Sequence, residues 1–317
     1  MARDTPREWT AGRGPGVAAV VTAFVGLSLG STLAKSSGSP GVVVAFWRFL
    51  IAAVLWHAWI AIRGVRTGSV RAVDVRAWRA ATVPGIVFGV NLACFFTGAT
   101  RTPIAHAEFI SALTPVVLIP VAAIVLKERV QRVAIAGGAV ALAGVMLILG
   151  QTPSESTSLD GDMLVVGAVA AWVVYLMTAK SARARLDTAA FMAVMTTAAC
   201  LTALVIALVV DPGAMVGLTA TGWAVVAVLA VTAGTISHGL LAWAQSRVAV
   251  GTISMLQLAQ PGLGVLWAAT LLGEAVTPVQ VLGMVIVLGA VGTLAWQTTR
   301  TAPPRRPAVD MEPAVTG

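Results

Sequence analysis

The chain writes one hairpin of apolar segments twice. The stretch from Arg101 to Gly137 and the stretch from Arg247 to Gly283 align at a single offset of 146 residues, with Arg101/Arg247, Pro115/Pro261, Glu128/Glu274 and Gly137/Gly283 in register. Val130/Val276, Val133/Val279, Ala123/Ala269 and Leu126/Leu272 follow. Matches of Ala, Val or Leu mean little in an apolar chain, but Arg, Pro and Glu together in register argue for internal duplication. The front parts agree more faintly, with Lys35/Lys180 and Phe46/Phe191 at an offset of 145.

Composition decides the solvent. Of 317 residues 58% are hydrophobic and 11% charged, and the mean hydropathy is +0.89, too little polarity to coat a soluble globule. Crossing about 30 Å of hydrocarbon takes roughly 20 apolar residues. Ten such runs are present, near 17–35, 41–62, 79–99, 104–126, 132–150, 162–181, 188–210, 222–244, 250–272 and 278–296. The pattern predicts an all-α integral membrane protein with ten transmembrane helices. It excludes an outer-membrane barrel, whose strands are about half as long and alternate apolar with polar.

Five runs lie between Arg101 and Arg247, an odd number, so the two copies run through the bilayer in opposite directions. The expected organisation is a tail over 1–16, a five-helix repeat over 17–150, an extracytoplasmic polar linker over 151–161, a second, inverted repeat over 162–296, and a Pro-rich disordered tail over 297–317. With the N-terminus in the cytoplasm, 18 of the 21 Lys and Arg residues fall on the inner side. Lys35 and Arg101 are then outside and Arg48 lies within a span, so the positive-inside rule predicts both termini cytoplasmic. The first apolar run imitates a cleavable signal peptide, but its repeat partner at 162–181 is internal, so it reads as a true span. The net charge of +8 is spread over short loops, which argues against nucleic acid as a partner. Cys94 and Cys200 lack metal or disulfide spacing. No cofactor or metal is expected.

Polar residues within the runs are the candidate site. An Arg at mid-membrane costs about 2.5–3.5 kcal/mol on insertion scales and needs a partner or a wet cavity. Helical rise puts Arg48 roughly 10 Å and Glu108 roughly 6 Å below the outer surface, so the two are expected to approach one another, as a structural ion pair or as an ion-coupling pair. Asn91, His106, Ser111 and Thr114 add polarity in the first half; Ser237, His238, Gln257 and Gln260 lie near the matching positions of the second. Ser111/Gln257 and Thr114/Gln260 are in duplication register, as expected of a cavity lined by both halves. Trp172 and Tyr175 offer faces for stacking an organic solute, or for packing. The substrate-binding set is therefore Asn91, Ser111, Trp172, Tyr175, His238, Gln257 and Gln260. Glu128 and Glu274, each in a hairpin turn, read as helix caps.

Two enzyme-like patterns fail on context. Gly26-Leu27-Ser28-Leu29-Gly30 fits a nucleophile elbow but is expected to lie inside one helix, not at a strand-to-helix turn. Gly30 to Ser36 imitates a phosphate loop, yet Ala34 stands where the second Gly belongs.

Phe46-Trp47-Arg48-Phe49-Leu50, with the twice-written pattern of Pro, an apolar run, Glu at a turn and Gly in the next helix, resembles the EamA-type members of the drug/metabolite transporter superfamily. Glu128-Arg129 and Leu272-Gly273-Glu274 match common forms of its signature. The resemblance covers 17–296 and implies a secondary carrier of amino acids, metabolites or drugs, commonly an exporter, built as two inverted bundles around a central cavity. The chain departs from the pattern at Ala193, the repeat equivalent of Arg48. The reading is thus not an enzyme but a transporter in a bacterial cytoplasmic membrane, with a small-molecule substrate and the lipid bilayer as partners, monomeric or homodimeric. An intramembrane serine hydrolase using Ser28, or a non-transporting membrane receptor, is the alternative.

Overall fold

The computed structural model describes residues 13–68, 73–102, 104–127, 132–150, 158–272 and 276–300. Glu128, Glu274, linker residues 151–157, the tail residues before 13 and after 300, and the His106 side chain lie outside what is described. Among the described residues there are helices and no strands. In chain order the α-helices are α1 Arg13–Leu27, α2 Gly30–Ser36, α3 Gly41–Arg66, α4 Val75–Arg101, α5 Ile104–Ala112, α6 Thr114–Val125 and α7 Arg132–Leu149, then α8 Leu159–Arg183, α9 Thr188–Val210, α10 Ala220–Leu229, α11 His238–Gln245, α12 Val250–Gln257, α13 Ala259–Leu272 and α14 Pro278–Arg300. A π-helical stretch, Ala230–Ser237, fuses α10 to α11. Among the described residues eight continuous or joined helices are long and apolar enough to cross a membrane, and Ile135–Ile148 is a shorter apolar one. The chain is a multi-pass membrane protein.

Local chemistry starts these helices where the sequence offers oxygen acceptors. Asp74, Ser158, Asp187 and Thr219 each take a backbone N–H of the first turn of α4, α8, α9 and α10. Before α14, Thr277 and Gln280 exchange side-chain and backbone bonds at 2.9 and 3.2 Å, a capping box.

Packing across the halves follows the duplication. α7 lies against α14, α3 against α9 and α6 against α12. A two-fold axis relating the repeats maps the first two pairings onto themselves and the third onto the pairing of α13 with α5, which is also present. The contact of α4 with α8 is mirrored by that of α11 with α1. Many large apolar side chains, such as Ile124 and Val209, are exposed, as a lipid-facing exterior requires.

The α7–α14 crossing depends on two glycines. A Cβ at Gly144 would stand 2.9 Å from the Gly283 carbonyl oxygen, and one at Gly283 would stand 2.7 Å from the Gly144 oxygen. Small residues let the backbones meet. Gly137, in sequence register with Gly283, has no such neighbour, so the crossing is not symmetric. Gly283→Val is expected to destabilise the fold by on the order of 1–3 kcal/mol, seen as a lower melting temperature in detergent.

Candidate functional site: a polar cavity between the two halves

Four of the helical runs are interrupted near the middle, and the interruptions surround one cavity. α1 passes into α2 through Ser28 and Leu29, α5 into α6 at Leu113, and α12 into α13 at Leu258; α10 and α11 meet through the π-helical stretch. Two of the breaks have a proline behind them. Pro115 lacks an N–H and its ring would crowd the Ser111 carbonyl, while Pro261 does the same to Gln257. The Thr114 hydroxyl donates to that Ser111 carbonyl at 2.6 Å, replacing the bond that Pro115 cannot make. Non-helical backbone at membrane depth is tolerated where it lines a cavity or is buried in protein, and π-helical segments recur at functional sites.

The cavity, about 100 Å³, takes its polar lining from both halves: Ser31, Arg48, Asn91, Glu108, Ser111 and Thr114 from the first, His238, Gln257 and Gln260 from the second. Trp172, Phe88 and Phe96 form its aromatic walls. Arg48 and Glu108 are 2% and 8% exposed, so both charges have left bulk water. Glu108 Oε1 accepts from the Ser31 hydroxyl at 2.7 Å. The Arg48 guanidinium carbon sits 5.6 Å from the centre of the Phe96 ring, and its Nε and Nη2 are buried without a hydrogen-bond partner among the described residues. On the far side it packs against the π-helical stretch, where a Cβ on Gly234 would be 3.3 Å from Nε.

The expected close pair of Arg48 and Glu108 is therefore not formed. They share the cavity, but Ser31 holds the carboxylate and Phe96 faces the guanidinium. Helical rise gave their depth correctly enough to bring them to one chamber, but depth does not fix the direction a side chain takes around the helix.

Of the other sequence candidates, Asn91, Ser111, Trp172, His238, Gln257 and Gln260 all line the cavity. Asn91 Nδ2 donates to the Ala168 carbonyl at 2.7 Å, and Trp172 Nε1 donates to Gln257 Oε1 at 2.9 Å. His238 is buried with its ring edge-on to Phe88, 4.6 Å between centres. Tyr175 is not among the lining residues. It is fully buried, stacked on Trp172 at 5.0 Å and on Phe88 at 4.8 Å, so it supports the wall from behind. Residues three apart share a helix face, which puts Tyr175 in line with Trp172. Ser31 and Phe96 were missed. The only sequence signal for Ser31 was a hydroxyl inside an apolar run.

The Ser28 hydroxyl donates to the Val25 carbonyl at 2.7 Å and accepts from Trp267 Nε1 at 2.8 Å. It thus bridges the break in the first run to the second copy of the duplicated hairpin. Its proton is directed to Val25 and its oxygen accepts from Trp267, so among the described residues Ser28 has structural partners and no histidine base.

The sequence matches the EamA-like transporter family over residues 14–150 and again over 159–296. The chain belongs to the EamA-like transporter family. Its two matched stretches are the two halves that enclose the cavity, so the duplication read from the hairpins extends over the whole membrane part. A solved structure, titled only as the crystal structure of a protein, shares the fold with a TM-score of 0.73 over 91% of this chain and 100% of its own, at 21% identity. No curated protein matches. As an EamA-family chain the molecule is a membrane transporter of small solutes.

Proposed function

We propose that this EamA-family chain is a secondary carrier with ten crossings, both termini cytoplasmic, that exports a small organic solute across a bacterial cytoplasmic membrane. The solute belongs among amino acids, metabolites or drugs, and it moves as the cavity alternates its opening between the two sides. One observation carries the reading: a buried polar chamber lies where the two repeats meet, walled by interrupted helices from both. A chamber of about 100 Å³ admits a solute of more than a few heavy atoms only when its walls part, so binding and conformational change are linked. Asn91, Ser111, Gln257 and Gln260 would supply hydrogen bonds, Trp172 backed by Tyr175 the stacking face, and His238 an imidazole. Arg48 and Glu108 would be the charges whose state follows the cycle. In this reading the breaks before Pro115 and Pro261 are the bending points.

Glu108→Gln tests the coupling role. The amide oxygen can still accept from Ser31, so folded yield is expected to hold, while transport loses its dependence on pH. Uptake with an unchanged pH profile contradicts a role for Glu108 in coupling.

A further inference from the structure

Away from the central chamber, a second and larger recess lies at one end of the bundle, where the C-terminal end of α3, the start of α4 and the turn from α8 to α9 meet. It encloses about 990 Å³. Arg63, Arg76, Arg79 and Arg185 line it, with Asp74 and Asp187. Both carboxylates are already engaged. Asp187 Oδ1 caps α9 by accepting from the Ala189 and Ala190 N–H groups at 2.9 and 3.2 Å. Asp74 Oδ1 accepts from the Arg76 N–H at 3.3 Å, and Oδ2 is 4.0 Å from Arg76 Nε. Among the described residues no carboxylate lies within ion-pair distance of Arg63, Arg79 or Arg185. The recess is thus a concave site with surplus positive charge.

It does not end at the helix termini. Ala80 and Arg185 also border a second groove, of about 360 Å³, that runs along the outside of the bundle between α4, the end of α6 and α8. Val83, Pro84, Val125, Leu126 and Met177 line it. Val83 and Val125 are 54% and 63% exposed from the protein, and in a bilayer that face meets acyl chains. A basic recess at headgroup depth leading into an apolar lipid-facing groove matches one chemistry: a phosphate head with a hydrocarbon tail. A free anion would use the recess alone and leave the groove without a role.

We propose that this continuous site binds an anionic glycerophospholipid, with its headgroup phosphate among Arg63, Arg79 and Arg185 and one acyl chain in the Val83–Val125 groove. The recess joins α3 and α4 of the first repeat to the α8–α9 turn of the second, so the lipid clamps the two halves together at this end of the bundle. The site is independent of the solute cavity and of whether that cavity transports.

The test titrates delipidated full-length protein in detergent with phosphatidylglycerol, with phosphatidylcholine and with inorganic phosphate, reading the melting temperature. Phosphatidylglycerol is expected to raise it saturably, and phosphatidylcholine and phosphate to leave it where it was. Arg79→Gln/Arg185→Gln is expected to bind phosphatidylglycerol roughly thirty-fold more weakly, while Arg132→Gln, an exposed basic residue outside the site, binds like the wild type. Arg79→Lys/Arg185→Lys, which keeps the charge, retains most of the binding. Mass spectrometry of the gently purified wild type gives a readout that needs no variant, and an anionic phospholipid is expected to remain attached. The proposal is overturned if phosphate protects as well as the lipid, if both lipids act alike, if Arg132→Gln weakens binding as much as the double variant, or if the wild type retains no anionic lipid.

Discussion

Arg48→Met is expected to lower transport by about 10–100-fold and at the same time to raise the melting temperature. The two effects have one cause. Arg48 is 2% exposed, two of its nitrogens have no hydrogen-bond partner among the described residues, and the face of the Phe96 ring is 5.6 Å away. A cation held this way has given up hydration for little in return, a cost of about 2.5–3.5 kcal/mol on insertion scales. Replacing buried ions by apolar side chains of similar size is often stabilising, by about 1–4 kcal/mol. An ionisable group within a span that is so costly to hold points to a functional site. The fall in transport corresponds to losing one charge-assisted interaction, about 1.5–3 kcal/mol. If Arg48 were a structural residue, the variant would show the reverse: lower folded yield with unchanged transport per folded molecule. Melting curves and uptake measured on the same preparation separate the two.

Gly234→Leu is the second large effect. A Cβ at this position already meets Arg48 Nε at 3.3 Å and the Leu229 carbonyl oxygen at 3.2 Å, so the longer side chain must displace the guanidinium or unwind the π-helical stretch. Transport is expected to fall at least about ten-fold, with a stability loss of about 1–3 kcal/mol. In the double variant Gly234→Leu/Arg48→Met the clash with the guanidinium disappears, while the contact with the Leu229 carbonyl oxygen remains. Stability is then expected to return beyond the sum of the single effects, by about 0.5–3 kcal/mol of coupling energy, while transport stays low. Additive stability effects would mean that the two residues do not share the space.

How much of this was legible in the chain depended on which residues carried it. Arg101/Arg247 and Pro115/Pro261 are rare residue types in an apolar sequence, so they made the duplication visible, and the family match over both halves extends it. The prolines also marked two of the four helix interruptions, because a missing N–H is a property of the residue itself. The interruption at Ser28–Leu29 and the π-helical stretch over Ala230–Ser237 carried no such mark. Their repeat counterparts in α8 and α4 are unbroken. The polar residues of the cavity stood out because polar groups are costly in hydrocarbon, but their partners did not. Ser31, rather than Arg48, holds Glu108, a choice made by direction around the helix, which residue spacing between distant helices does not encode.

The central claim is that the chamber between the repeats is the path of a solute, and reconstitution tests it most directly. Purified protein in sealed vesicles is offered a panel of labelled amino acids, metabolites and drugs, with and without a proton gradient, beside Arg48→Met protein and protein-free vesicles. The account predicts that at least one solute moves across the wild-type membrane at a rate that follows the gradient, and that Arg48→Met folds but moves it about 10–100-fold more slowly. Movement that is equal in wild-type and Arg48→Met vesicles would contradict it.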